Sequence, residues 1–209
     1  LQFLDPACGC GNFLIQAYKH LRGLEYEIIT RAEELELAEL NAAFDLHAKG
    51  ERVDGIRAIR ARLKELGNRN SLQFADDSLR KSKMSMRQFH GIEINEWPAK
   101  VASTAMLLVD HLCNQSFGQS AVRLPIEETP EIKTANALRI DWADVIDPDD
   151  CDYIIGNPPF VGSSRLDEDQ KEDRTKVFGR NGGKLDFVAC WHRTAAEFLN
   201  GHGGDIAFV

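Results

Sequence analysis

Short apolar runs alternate along this chain with longer stretches of helical periodicity. Phe3-Leu4-Asp5 reads as a strand, Pro6-Ala7-Cys8-Gly9-Cys10-Gly11 as a loop, and Asn12 to about Leu21 as a helix. From Leu24 to about Gly67 the pattern stays helical. Ile28, Ala32, Leu35, Leu37, Leu40 and Phe44 mark an irregular apolar face, and Ile56, Ile59, Leu63 and Leu66 mark a cleaner one at spacings of three and four. Gly50 divides the two, and Gly67 stands where a helix would be capped. The expectation is an α-hairpin inserted over residues 24–70, after the first βα unit.

The alternation continues. Phe89-His90-Gly91-Ile92-Glu93-Ile94 predicts a second strand, followed by a helix with Pro98 near its first turn and Val101, Ala105, Leu108, Val109 and Leu112 on its buried side. Ile132 to Leu138 predicts a third strand ending at Asn136, followed by the short Arg139-Ile140-Asp141-Trp142. Asp152-Tyr153-Ile154-Ile155-Gly156 predicts a fourth. Val161 to Gly183, polar and carrying Gly179, Gly182 and Gly183, reads as a long mobile loop. A helix from about Lys184 to Leu199 would bury Leu185, Val188, Ala195 and Phe198, and Gly201-His202-Gly203-Gly204 would turn into a fifth strand. Such a succession calls for an α/β protein with a parallel, twisted, doubly wound sheet.

Composition narrows the setting. The 209 residues are 43% hydrophobic and 28% charged, enough apolar material for a sizeable core. No run approaches the roughly 20 apolar residues of a membrane span, no signal peptide opens the chain, and an odd number of cysteines without paired spacing points to a reduced, cytoplasmic setting. The chain starts at Leu1 beside one strand and stops at Val209 inside another, as a piece cut from a longer protein would. Its five cysteines form no paired spacing, and His111 and Cys113 have no second ligand pair, so neither a disulfide framework nor a metal is expected. The net charge of −8 is unlike a self-sufficient nucleic-acid-binding domain, so any such surface must be local or lie elsewhere. Arg80-Lys81-Ser82-Lys83 with Arg87 reads either as a phosphate contact or as plain surface, and Glu33, Glu34, Glu36 and Glu39 read as a solvated face.

Three places carry candidate chemistry. Gly9 and Gly11 let the first loop turn sharply and approach a ligand, with the unpaired N–H groups of a helix start beside it. Leu14 stands where the dinucleotide fingerprint wants a third glycine, which disfavours a pyrophosphate-binding dehydrogenase. Glu93, at the end of the second strand, holds the position that bonds a ribose in doubly wound folds; the gap from the loop far exceeds the usual ~20 residues, and the hairpin accounts for the excess. Asn157-Pro158-Pro159-Phe160 holds an amide and a ring stiffly beyond a strand end, because proline fixes its own φ and extends the residue before it.

In this order the motifs resemble those of class I, S-adenosylmethionine-dependent DNA methyltransferases that modify the amino group of adenine. The chain is most similar to the methylase portion of single-chain type II restriction–modification enzymes. The resemblance runs over nearly the whole chain, through Asp5 to Leu14, Gly91 to Ile94, Asn136-Ala137-Leu138, Asn157 to Phe160, and Lys184-Leu185-Asp186-Phe187. It implies a Rossmann-like, mostly parallel core spanning 1–209 and truncated at its C-terminal end, with duplex DNA bound through a target-recognition domain that is missing here. It also implies that Asp5, Pro6, Ala7, Cys8, Gly9 and Gly11 hold the methionine part of S-adenosylmethionine and Glu93 its ribose. Ile94 would pack on its adenine, with Asn136 and Ala137 at the adenine edge. Asn157 and Pro158 would accept hydrogen bonds from the target amino group, with Pro159 stiffening the turn and Phe160 stacking on a flipped base.

Two other readings stand beside this one. The same Asn-Pro-Pro-aromatic motif serves methyltransferases of RNA amino groups and of protein glutamine, because all present a planar, conjugated NH₂. An isolated piece could also bind only the cofactor. Oligomeric state leaves no trace in the sequence.

Overall fold

A computed structural model describes residues 1–67, 82–116 and 129–209. Among the described residues five strands form one sheet: β1 (Phe3–Asp5), β2 (Phe89–Glu93), β3 (Glu131–Thr134), β4 (Tyr153–Gly156) and β5 (Asp205–Phe208). Every pairing is parallel, in the order β3-β2-β1-β4-β5. The helices are α1 (Asn12–Ala48), α2 (Ile56–Gly67), α3 (Glu96–Ser116), α4 (Glu168–Phe178) and α5 (Ala189–Phe198). This is an α/β, Rossmann-like, doubly wound sheet. Chain order reverses between β1 and β4, and ligands of such sheets bind beyond the strand ends at that point.

Register is held by side chains as well as by the ladder. Phe3 pairs with Phe89 on one side and Tyr153 on the other, and its ring stacks on both at 5.0 and 5.2 Å. The three central strands are therefore joined by an aromatic row, and Tyr18 of α1 meets Phe89 edge-on. Leu4, Ile92 and Ile154 are fully buried and share a core with Trp142, Phe187 and Trp191. None of the described helices is long and apolar enough to cross a membrane.

The chain divides into two compact units. The first contains the sheet, the start of α1, most of α3, and α4 and α5. The second takes the described residues of Lys19–Met84 and those from His111 to the end of α3. Within the second, Arg62 grips Glu36 in a two-pronged bond of 2.7 and 2.9 Å, and Arg22 is buried against Glu25 and Asn114. Lys83 and Met84 give their backbone N–H groups to Glu25. Arg80 and Lys81 of the basic stretch lie outside the described residues.

Several expectations are corrected. The first helix does not stop near Leu21 but runs for 37 residues, because Gly23 alone does not break a stretch of good helix formers. The acidic face is not uniformly solvated, since Glu33 is buried and Glu36 is paired. The third strand ends at Thr134, so Asn136 lies beyond it. On α3 the buried stripe is Ala99, Ala102, Met106 and Cys113, while Leu108 and Leu112 are 56% and 55% exposed. Small Ala99 and Ala102 let this helix approach closely, and that selects the face. Residues 161–183 are not a loop throughout: α4 occupies their middle, begun by an Asp167–Gln170 capping box. The last helix begins at Ala189, leaving Leu185 exposed before it.

Candidate active site

The site lies at the carboxyl ends of β1, β2 and β4, within the first unit. Asp5 ends β1 and is 1% exposed. Its Oδ1 accepts the Ala7 N–H at 3.0 Å, which turns the chain sharply into the glycine loop. Burial raises the Asp5 carboxyl to about 7, with Glu93 adding repulsion and the Ala7 bond opposing both.

The loop is tied to its neighbours at each step. Cys8 N–H bonds Ile92 O at 3.1 Å, Gly9 N–H bonds Glu93 Oε2 at 3.1 Å, and Gly11 N–H bonds Cys8 O at 2.7 Å. Gly11 has φ +85, and a Cβ there would lie 3.0 Å from Ala102 Cβ, so glycine lets the loop pass against α3. Cys8 is buried, and burial pushes its thiol well above the ordinary range, with Asp5 and Glu93 adding to the effect. It packs where Gly91 leaves room, since a Cβ at Gly91 would come 2.9 Å from its sulfur.

Glu93 also accepts the Asn95 N–H at 2.8 Å through Oε1. Each carboxylate oxygen thus spends one acceptor site on the protein and keeps another for a ligand. Ile94, beside it, is exposed. Beyond β3, Asn136 Oδ1 accepts the Leu138 N–H at 2.9 Å, and Asn136 Nδ2 donates to Asp173 at 2.8 Å. Ala137 is buried, its carbonyl taking the Trp142 indole N–H at 2.8 Å.

After β4, Asn157 is exposed, Pro158 is fully buried and Phe160 is 70% exposed. The Asn157 carboxamide makes no hydrogen bond among the described residues. A stiff backbone thus presents an unengaged amide and an uncovered ring side by side. A cavity of about 610 Å³ joins these parts. Pro6, Ala7, Glu93, Ile94, Asn136 and Ala137 line it together with Asn157 and Pro159. Asp5, Cys8, Gly9 and Gly11 shape the loop without lining this cavity, and Pro158 and Phe160 are likewise off its wall.

Sequence reasoning gave no site role to Arg139, Asp167, Asp169, Gln170, Asp173 and Trp191, which line the wall together with Ile92, Ala135 and Phe187. Trp191 donates its indole N–H to Pro6 O at 3.1 Å, fixing the loop from α5. Arg139 Nε bonds Asp173 at 2.5 Å. The signal for α4 was present in the capping pair and in the Glu172–Lys176 spacing.

Known proteins resemble this chain in sequence and fold. The family model described as "MmeI, DNA-methyltransferase domain" matches residues 1–209. DNA methyltransferase A of Bacillus subtilis (strain 168) is 30% identical over 218 residues, covering all of this chain and 20% of the relative. A solved structure of the type IIL restriction–modification enzyme MmeI in complex with DNA is 36% identical, with a TM-score of 0.69 over the whole chain and 24% of that protein. The chain thus spans about a fifth to a quarter of the proteins it matches.

Proposed function

Since this chain belongs to the MmeI DNA-methyltransferase domain family, we propose that it is the catalytic core of a restriction–modification enzyme that methylates the N6 amino group of adenine in duplex DNA, with S-adenosylmethionine as donor. The observation that carries this reading is the shared cavity: Glu93, Ile94 and Asn136 line it from the β2 and β3 ends, and Asn157 lines it from the β4 end. A methyl donor and its acceptor need one such space.

The residues present fit the cofactor. The cavity volume falls in the range of small-ligand sites, about 300–1,000 Å³. Glu93 retains acceptor capacity for two ribose hydroxyls, and Ile94 offers an uncovered apolar surface for a purine. When bound, S-adenosylmethionine supplies an electrophilic methyl on a sulfonium.

The remaining chemistry falls to the chain. An adenine inside a duplex is out of reach, so the base is flipped out at a cost of a few kcal/mol in stacking. Phe160 supplies the exposed ring on which it stacks. The adenine amino lone pair is delocalised into the ring, which makes the nitrogen a poor nucleophile. Asn157 Oδ1 and the Pro158 carbonyl accept its two N–H bonds and favour a more tetrahedral nitrogen. The same dipoles stabilise the positive charge that grows on it. Held in line with the methyl, the nitrogen also gains the orientation advantage. Cys8 is no nucleophile: it is buried and held as a thiol.

The Asn-Pro-Pro-Phe motif by itself also suits RNA and protein glutamine; the DNA methyltransferases among the relatives favour DNA. The test is transfer of labelled methyl by the full-length protein to duplex DNA, RNA and a glutamine-bearing protein, with nucleoside analysis. N6-methyladenine in DNA is the expected product. Label confined to RNA, protein or cytosine would overturn the reading.

A further inference from the structure

Asp173 is a buried carboxylate on α4, 2% exposed, in a segment that follows the Asn-Pro-Pro-Phe turn. Burying a charge is costly unless it is paired and fully bonded. Two bonds compensate it: Arg139 Nε to Oδ1 at 2.5 Å, and Asn136 Nδ2 to Oδ2 at 2.8 Å. Arg139 remains 37% exposed, so the pair bridges from solvent into the cavity wall.

The consequence falls on Asn136. A carboxamide can turn end for end with little change of shape, and only its partners decide which end is oxygen. Here both partners agree. An ionised carboxylate is an acceptor only and demands the NH₂ end, while the Leu138 N–H is a donor only and demands the oxygen. Each end keeps one bonding site for a ligand.

We propose that Asp173 is a positioning residue that fixes the orientation of the Asn136 carboxamide, and thereby sets the cavity's preference for a purine bearing a 6-amino group. This rests on the reading of the cavity as an S-adenosylmethionine site. An amino group needs an acceptor, which the locked Asn136 oxygen supplies. In Asp173→Asn, Arg139 retains the oxygen of the new side chain, and its NH₂ then faces Asn136 Nδ2. Two donors then face each other, and turning the Asn136 amide only moves the clash to the Leu138 N–H, so neither orientation is held firmly.

The experiment measures binding of S-adenosylhomocysteine and of its 6-desamino purine analogue to the full-length protein, wild type, Asp173→Asn and Asp173→Ala. Melting curves verify that each variant is folded. Wild type should favour the amino compound by about tenfold, the worth of one well-made hydrogen bond. Asp173→Asn should reduce that preference to about threefold or less, chiefly by weakening the amino compound. Asp173→Ala, which removes one partner and leaves the Leu138 N–H to hold the oxygen, should fall between. An unchanged preference in both variants would overturn the proposal, as would equal weakening of both ligands, which marks a purely structural role. Failure of wild type to bind either ligand would instead remove the cofactor reading on which it rests.

Discussion

Gly156 and Asp5 meet across the β1–β4 junction so closely that a Cβ on Gly156 would lie 2.5 Å from Asp5 Oδ1. The residue before the Asn-Pro-Pro-Phe turn is therefore glycine because the carboxyl that organises the first loop occupies the space. The two motifs, about 150 positions apart, are fitted to each other through one missing methyl group.

Gly156→Ala forces either the strand end or the Asp5 carboxyl to shift. Overpacking of this kind costs about 1–3 kcal/mol. Chemical denaturation should detect that loss. Because Asp5 also turns the Pro6–Ala7 segment, binding of S-adenosylhomocysteine should weaken in parallel.

Asp5 also confers a pH dependence on stability. Its carboxyl titrates near 7 in the folded chain and near 3.8 when unfolded. Between those values the folded state holds more protons, so its contribution to stability falls as pH rises through this window. Above 7 the penalty is complete, up to about 4 kcal/mol. Asp5→Asn removes the titration. The variant should gain stability relative to wild type as pH increases from 5 to 8, read from paired denaturation curves. A constant difference would contradict the assignment of this titration to Asp5.

Asn157→Ala separates chemistry from binding. The carboxamide is exposed and unpaired among the described residues, so stability should change by no more than about 0.5 kcal/mol. Methyl transfer should fall by a factor of about 10²–10³ or more, the loss typical of a preorganised charge-stabilising group. Cofactor affinity should stay within about threefold. Joint loss of binding and transfer in a folded variant would show that Asn157 does not serve the target amino group.

Trp191→Phe removes the indole N–H that bonds Pro6 O. Both groups are buried, and an orphaned carbonyl costs about 1–3 kcal/mol. Phe187, which meets the Trp191 ring edge-on at 5.1 Å, loses part of its packing as well. A melting temperature equal to wild type would show that the loop does not depend on α5.

By itself the sequence determined the local pieces: a strand into a glycine loop before Asn12, an acid at the end of β2, and a stiff amide and ring after β4. These follow from short-range rules, because hydrophobic period, glycine and proline act within a few residues. The α/β class followed from their alternation. The tertiary structure alone decided which face of α3 is buried, since Leu108 is the more apolar residue and only the close approach of the Gly11 loop selects the smaller Ala102. It alone brought α4 to the cavity, because most of its side chains are polar and its one buried residue is a carboxylate, Asp173, which meets Arg139 and Asn136 from distant parts of the chain while Val177 and Phe178 pack on the core. The Asn157–Phe160 turn was legible as a chemical group. Its position on the same cavity as Glu93 and Asn136 came from the parallel pairing of β1 with both β2 and β4, a contact between strands that no local pattern encodes.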